Sequence, residues 1–272
     1  MTSLVTWVGV DSRGPASIYI ASDSRISLAY GLTWDFGRKV FASQKHPIII
    51  GYVGEVLFPS QILGQVINLI DNNLLIDKSE QPEIQVGRIF HIIQQSFEAY
   101  PLSEQRNFEV VYCFRENEGM ASIFHMYLIG WNSNTGWSLE KPELPYKSGI
   151  IRLLGTGKKP IGKWEERWNK IETEKNTSRA VFSAFCDALQ SNEDIYSGGA
   201  PQLVGLYRIY AGQSIGIIYK GSRYLYGLPI YESSLLQNVE WRNSIFERCD
   251  WRTIEKLENA QKHRRPKGLA NA

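Results

Sequence analysis

The chain is short of the residues that build metal centres and disulfide frameworks. Its 272 residues include three cysteines, Cys113, Cys186 and Cys249, which are far apart and odd in number, and four histidines. There is no Cys-x-x-Cys pair and no histidine pair at ligand spacing. Neither a zinc site nor a disulfide scaffold is expected, and a reducing cytosol fits the cysteine usage best. Long hydrophobic runs are also missing, the longest falling far short of the roughly 20 residues a membrane helix needs. The opening Met-Thr-Ser-Leu-Val-Thr-Trp has no basic segment followed by an apolar one, which argues against a signal peptide. Nor does one sign of charge dominate. A formal net charge of +2 is too small for a global field that would recruit nucleic acid or anionic lipid. A soluble, cytoplasmic protein without cofactor or metal is the expectation.

What is present is ordinary globular material: 43% hydrophobic and 21% charged residues, enough to close a full core. Leu4 to Val10 is rich in strand-forming residues and begins almost at the first residue. Asp11 to Pro15 reads as a turn, and Ser17 to Ala21 as the returning strand. Short strands follow at Lys39–Ala42 and Pro47–Val53, the latter apolar on both faces, as a strand buried between layers should be. The period then changes. Phe58, Ile62, Val66, Leu69 and Ile70 recur at helical spacing, as do Val86, Ile89, Phe90, Ile93, Phe97 and Tyr100. Strand signals return at Phe108–Arg115, Ala121–Trp131 and Ile150–Leu154. Helices are expected at Lys159–Ile171 and Thr177–Ser191, with Thr177 a weak cap because no acid follows three residues later. Three closing strands are read at Leu203–Tyr210, Ser214–Tyr219 and Arg223–Tyr226.

The order strands, two helices, strands, two helices, strands favours an α+β fold with antiparallel sheets over a parallel βαβ arrangement. Two sheets between two helical layers is the simplest arrangement that buries both helix pairs. Trp131 to Tyr146 reads as a surface loop. Residues 235–272 read as a helical extension ending in the basic stretch Lys262 to Lys267. Its apolar residues Val239, Trp241, Ile245, Phe246, Trp251, Ile254 and Leu257 are expected to pack back on the domain 1–234, a subunit contact being the alternative.

Chemistry is suggested first by Thr2. Removal of Met1 before a small residue would leave Thr2 as the N-terminus. Its own α-amine, with an ordinary pKa of about 7.7–8.0, could then serve as general base for its hydroxyl. Other segments point the same way. Ala21-Ser22-Asp23-Ser24-Arg25 ends a strand with an acid and a base two residues apart, and Arg38-Lys39-Val40 opens another with two cations. Gly51-Tyr52-Val53-Gly54 closes a buried strand with glycines, and Gly155-Thr156-Gly157 ends a further one. Asp194-Ile195-Tyr196-Ser197-Gly198-Gly199 forms a polar turn after a helix.

In this order and at this spacing, from Thr2 to about Tyr219, these segments resemble the successive landmarks of proteasome β-subunits and the bacterial HslV-type peptidases, the N-terminal nucleophile threonine hydrolases. The resemblance implies a four-layer αββα sandwich and a site in which Thr2 Oγ attacks the scissile carbonyl. Lys39 would lower the pKa of that hydroxyl, and Asp23 would hold Lys39. The Gly54 N–H would form the oxyanion hole, while Thr156, Asp194 and Ser197 would orient the Thr2 amine. Arg25 would support the cluster. Ile26, Gly37, Phe41, Tyr52 and Val56 would line the pocket for the residue preceding the cut bond, with a preference for apolar over acidic side chains. Thr156 stands where the family has serine, and Lys158 where it has a small polar residue. The family also implies self-association into rings, an ATP-driven AAA+ unfoldase as partner, and peptide or unfolded protein as substrate. A small-molecule amidohydrolase of the same nucleophile class and a non-catalytic structural subunit are the alternative readings.

Overall fold

The computed structural model describes residues 2–77, 80–231 and 234–261. Strand β1 (Ser3–Asp11) turns tightly into β2 (Gly14–Ser22). A small hairpin of β3 (Ile26–Ser27) and β4 (Thr33–Trp34) leads to β5 (Val40–Ala42) and β6 (Ile48–Gly54). Helices α1 (Leu57–Asp71) and α2 (Pro82–Glu98) follow, then β7 (Phe108–Glu116), β8 (Ile123–Asn132), β9 (Gly136–Glu140) and β10 (Gly149–Gly155). Next come α3 (Lys158–Asn169) and α4 (Ser178–Gln190), and then β11 (Gln202–Tyr207), β12 (Gln213–Tyr219) and β13 (Ser222–Leu225). The chain closes with β14 (Leu228–Pro229), β15 (Glu240–Asn243) and β16 (Arg248–Cys249).

Two large sheets result. One runs β10-β1-β2-β11-β12-β13-β14, with β15 added parallel to β12 and β16 antiparallel to β15. The other is the antiparallel meander β5-β6-β7-β8-β9. Because successive strand residues point to opposite faces, one run of apolar residues serves two clusters. On β1 and β2, Val5, Trp7, Tyr19 and Ala21 join α3 and α4 residues such as Trp168, Phe182 and Phe185. On β6 and β7, Ile48, Ile50, Tyr52, Val110 and Tyr112 join α1 and α2 residues such as Val66 and Ile93. The alternate positions, Leu4, Val8, Ile18 and Ile20 of the first sheet and Ile49, Val53, Val111 and Cys113 of the second, share a third cluster. Burial on both faces explains why these strands read as continuous apolar runs without alternation.

Helix α4 is capped by Thr177, whose Oγ1 accepts the Ala180 N–H at 3.1 Å. An acid at the third position is not needed for that bond, so the cap is sound where the missing acid suggested weakness. Inside the same layer, Trp168 donates its indole N–H to Asp187 at 2.9 Å, which gives both buried polar groups a partner.

Two expectations are corrected. The segment 131–146 is not all surface loop: Gly136–Glu140 is strand β9, paired with β8. The turn forms because Gly136 takes φ +76° and Asn132 Oδ1 accepts the Asn134 N–H, and Trp137 then packs edge-on against Phe90 and Phe97. The C-terminal segment is not helical either. Among its described residues there are a short 3₁₀ turn (Ser234–Asn238), β15 and β16. Asn243 Oδ1 accepts the N–H groups of Ile245 and Glu247, an Asx-type reversal that competes with helix, and Phe246 follows at φ +65°. The apolar residues do pack back on the domain: the Trp241 ring lies over Gly216, where a Cβ would come within 2.4 Å of it, and Phe246 meets Trp7 and Tyr19. The basic stretch from Lys262 lies outside the described residues.

Candidate active site

The site gathers where β1 begins, β2 ends, β5 begins and the loop after α4 returns. Asp23 follows the last residue of β2 and is fully buried with Lys39, which precedes β5. Lys39 Nζ donates to Asp23 Oδ1 at 2.8 Å and to the Arg25 carbonyl at 2.6 Å. The Asp23 carboxylate accepts three backbone N–H groups as well: Ser3 on Oδ1, and Arg25 and Gly198 on Oδ2, each at 3.0 Å. Four donors on one carboxylate hold the anion where water cannot reach it. Burial pushes the Lys39 ammonium below the ordinary lysine value, and Asp23 opposes that shift.

A second polar chain approaches from the other side. Asp194 Oδ2 accepts from Thr156 Oγ1 and from Ser197 Oγ, both at 2.7 Å, and Ser197 Oγ lies 2.7 Å from Ser3 Oγ. Since Ser197 gives its hydrogen to Asp194, Ser3 is left as the donor to Ser197. Ser3 thus touches both halves of the site, its N–H on Asp23 and its hydroxyl on Ser197. Thr2 is fully buried beside it, and its carbonyl accepts the Thr156 N–H at 2.8 Å.

The glycines make this approach possible. At Gly155, with φ +82°, a Cβ would lie 1.8 Å from the Thr2 carbonyl oxygen. At Gly157 it would lie 1.6 Å from Ser3 Oγ. Gly54 ends β6 at φ +97°, packed against the Asn107 carbonyl.

Arg25 forms a two-pronged pair with Asp35 at 2.7 and 2.9 Å and donates to the Ile195 carbonyl at 3.1 Å, which ties the 194–199 loop to the β3–β4 hairpin. Its partner's hydrogen bonds hold the Asp35 carboxyl below the ordinary value. Of the expected specificity residues, Ile26 folds over Gly37, and Val56 lies half-buried just before α1. Phe41 and Tyr52 lie in the α1–α2 core with almost no exposure. Arg38 stacks on Phe41 at 4.3 Å, and its carbonyl accepts the Tyr52 hydroxyl.

Three residues were missed by sequence reasoning. Ser3 carries no signal beyond lying next to Thr2, and Asp35 lies in the turn just after β4 with no pattern of its own. Gln202 is buried at the start of β11. Its Oε1 accepts the Lys39 N–H at 3.1 Å, and its Nε2 reaches the carbonyls of Asp23 and Gly37 at 3.0 and 2.7 Å. It fastens the end of β2 to the approach to β5, so it sets the spacing of Asp23 and Lys39. Among the described residues, no group of three or more His, Cys, Asp and Glu side chains could hold a metal ion, and no helix is long and apolar enough to cross a membrane.

No family model and no curated protein sequence matches the chain. Solved structures do. Anbu (ancestral beta-subunit) from Yersinia bercovieri superposes with a TM-score of 0.52 at 8% identity, over 82% of this chain and 87% of that one. Eukaryotic HslV from Trypanosoma brucei matches with a TM-score of 0.47 at 11% identity, over 75% and 99%. The chain therefore has the mixed α/β fold seen in Anbu. At this identity the likeness is one of fold alone, and the weaker score against HslV adds nothing to it.

Proposed function

We propose that the chain is a proteasome-like threonine peptidase of the N-terminal nucleophile class, with a four-layer αββα sandwich and Thr2 as nucleophile once Met1 is removed. The observation that carries this reading is the buried Lys39–Asp23 pair, fastened through Asp23 to the N–H of the residue after Thr2. A fully buried lysine and aspartate without a task are costly, since desolvating two ions takes several kcal/mol each. In this reading their position is the return on that cost: the Lys39 charge favours the alkoxide form of the Thr2 hydroxyl. Thr2 Oγ attacks the peptide carbonyl and its own α-amine takes the proton, with Asp194, Ser197 and Thr156 orienting that amine. The Gly54 N–H would donate to the developing oxyanion, a contribution of about 3 kcal/mol where such donors have been removed. Ile26, Gly37 and Val56 would line an apolar pocket before the cut bond, with the buried Phe41 and Tyr52 supporting it from the α1–α2 core. Ring assembly, a cytoplasmic setting and an AAA+ unfoldase partner belong to the same reading.

Hydrolysis of fluorogenic peptides by the chain and by Thr2→Ala tests the proposal. Loss of at least about a thousandfold in turnover, with the fold retained, is the expected result. Equal turnover by Thr2→Ala refutes it.

A further inference from the structure

A cleft of about 440 Å³ opens beside Gly54 and Thr156. Its floor is a row of cross-strand neighbours at the edge of the second sheet: Val53 on β6 faces Glu109 on β7, which faces Gly130 on β8, which faces Ser138 on β9. Cross-strand partners share a face, and Val53 belongs to the cluster between the two sheets. On β7 the same face carries Val111 and Cys113. Glu109 is thus a carboxylate on an otherwise apolar strand face, placed where the inter-sheet space opens to solvent between Gly54 and the Gly155–Thr156 turn.

Glu109 is the one ionisable residue that lines the cleft. It is half-buried, and no cation or hydrogen-bond donor among the described residues pairs with it. Gly130 keeps the space beside it open, since a Cβ there would come within 3.8 Å of Glu109 Cγ and 2.7 Å of Ser138 Oγ. Val53 adds apolar surface on that face, while the Phe108 and Trp131 rings turn to the α1–α2 side of the sheet. An acid beside apolar surface at the mouth of the inter-sheet space suits a cation on a hydrocarbon stem.

We infer that this cleft binds a lysine or arginine side chain of a peptide substrate, on the leaving-group side of the cut bond, with Glu109 as the specificity-determining residue. The inference rests on the peptidase reading for its placement. The cleft includes Gly54 and Thr156 but none of the five residues assigned to the pocket before the cut bond. A chain crossing the site from that pocket enters the cleft after the reacting carbonyl.

The test is binding to the full-length Thr2→Ala chain, which does not depend on turnover. Two dye-labelled apolar hexapeptide amides, one ending in Lys-Lys and one in Glu-Glu, are titrated by fluorescence anisotropy. The Lys-Lys peptide should bind roughly tenfold tighter, as one charge-assisted contact would give. Glu109→Gln should abolish the difference and Glu109→Lys should reverse it. Equal binding of the two peptides, or a preference that survives Glu109→Gln, overturns the inference. Turnover of fluorogenic peptides by the unaltered chain reports separately on the peptidase reading.

Discussion

Lys39 Nζ lies 2.8 Å from Asp23 Oδ1, and neither side chain has any exposure to solvent. Removing either partner leaves the other charge buried without its counter-ion. Asp23→Ala and Lys39→Ala should each lower stability by about 3–5 kcal/mol, read by urea denaturation, as well as suppress activity. A loss below about 1 kcal/mol would mean that the pair is not buried as described.

Gly155 and Gly157 separate packing from chemistry. Gly155→Ala sets a Cβ against the Thr2 carbonyl at a φ of +82°, where neither backbone can give way. It should cost more than the 1–3 kcal/mol typical of a strained residue. Gly157→Ala meets the Ser3 hydroxyl at 1.6 Å, which can rotate away from Ser197, and the Ser3 Cβ at 2.8 Å, which requires a small shift of β1. That variant should lose less thermal stability than Gly155→Ala and still lose turnover. Equal melting temperatures for the two variants would contradict this.

Acid should loosen the link between the hairpin and the 194–199 loop. The folded-state pKa of Asp35 is depressed, first through its hydrogen bonds to Arg25. Its contribution is therefore complete above the ordinary value of 3.8 and is lost as pH falls through the lower folded value. Asp35→Asn should flatten the acid limb of a stability–pH profile in that window. An unchanged profile would count against the pair.

The C-terminal strands belong to the core of the fold. Trp241 is 1% exposed, lies on Gly216 and donates its indole N–H to the Leu236 carbonyl. Trp241→Ala should cost about 3–5 kcal/mol in chemical denaturation, the range for emptying a large buried aromatic site. A cost near zero would show that the segment from Glu240 is dispensable.

Much of this was readable before the structure, for definite reasons. Helices α1 and α2 declare themselves because Phe58, Ile62 and Val66, and Val86, Ile89 and Ile93, hold the helical period. β1 and β6 do so because burial on both faces leaves an unbroken apolar run. Asp23, Lys39, Asp194 and Ser197 stand out in the sequence because they sit at strand ends and turns, where backbone geometry exposes polar groups to one another. What escaped was set by tertiary pairing. β9 depends on a turn at Gly136, and β15 on an open side of β12 that lies far away in sequence. The charge-rich composition after Leu235 suggested helix, while the Asn243 reversal and the Gly216 vacancy under Trp241 decide for strand. Gln202 could not be found from sequence because its four bonds reach residues more than 160 positions away. Ser3 became visible only with Gly157 closed over it.

The central claim is most directly tested by the mass of the N-terminal peptide of the active, purified chain. Met1 should be absent and that peptide should begin at Thr2 in every molecule that turns over substrate. Full turnover by a chain that retains Met1 would contradict it.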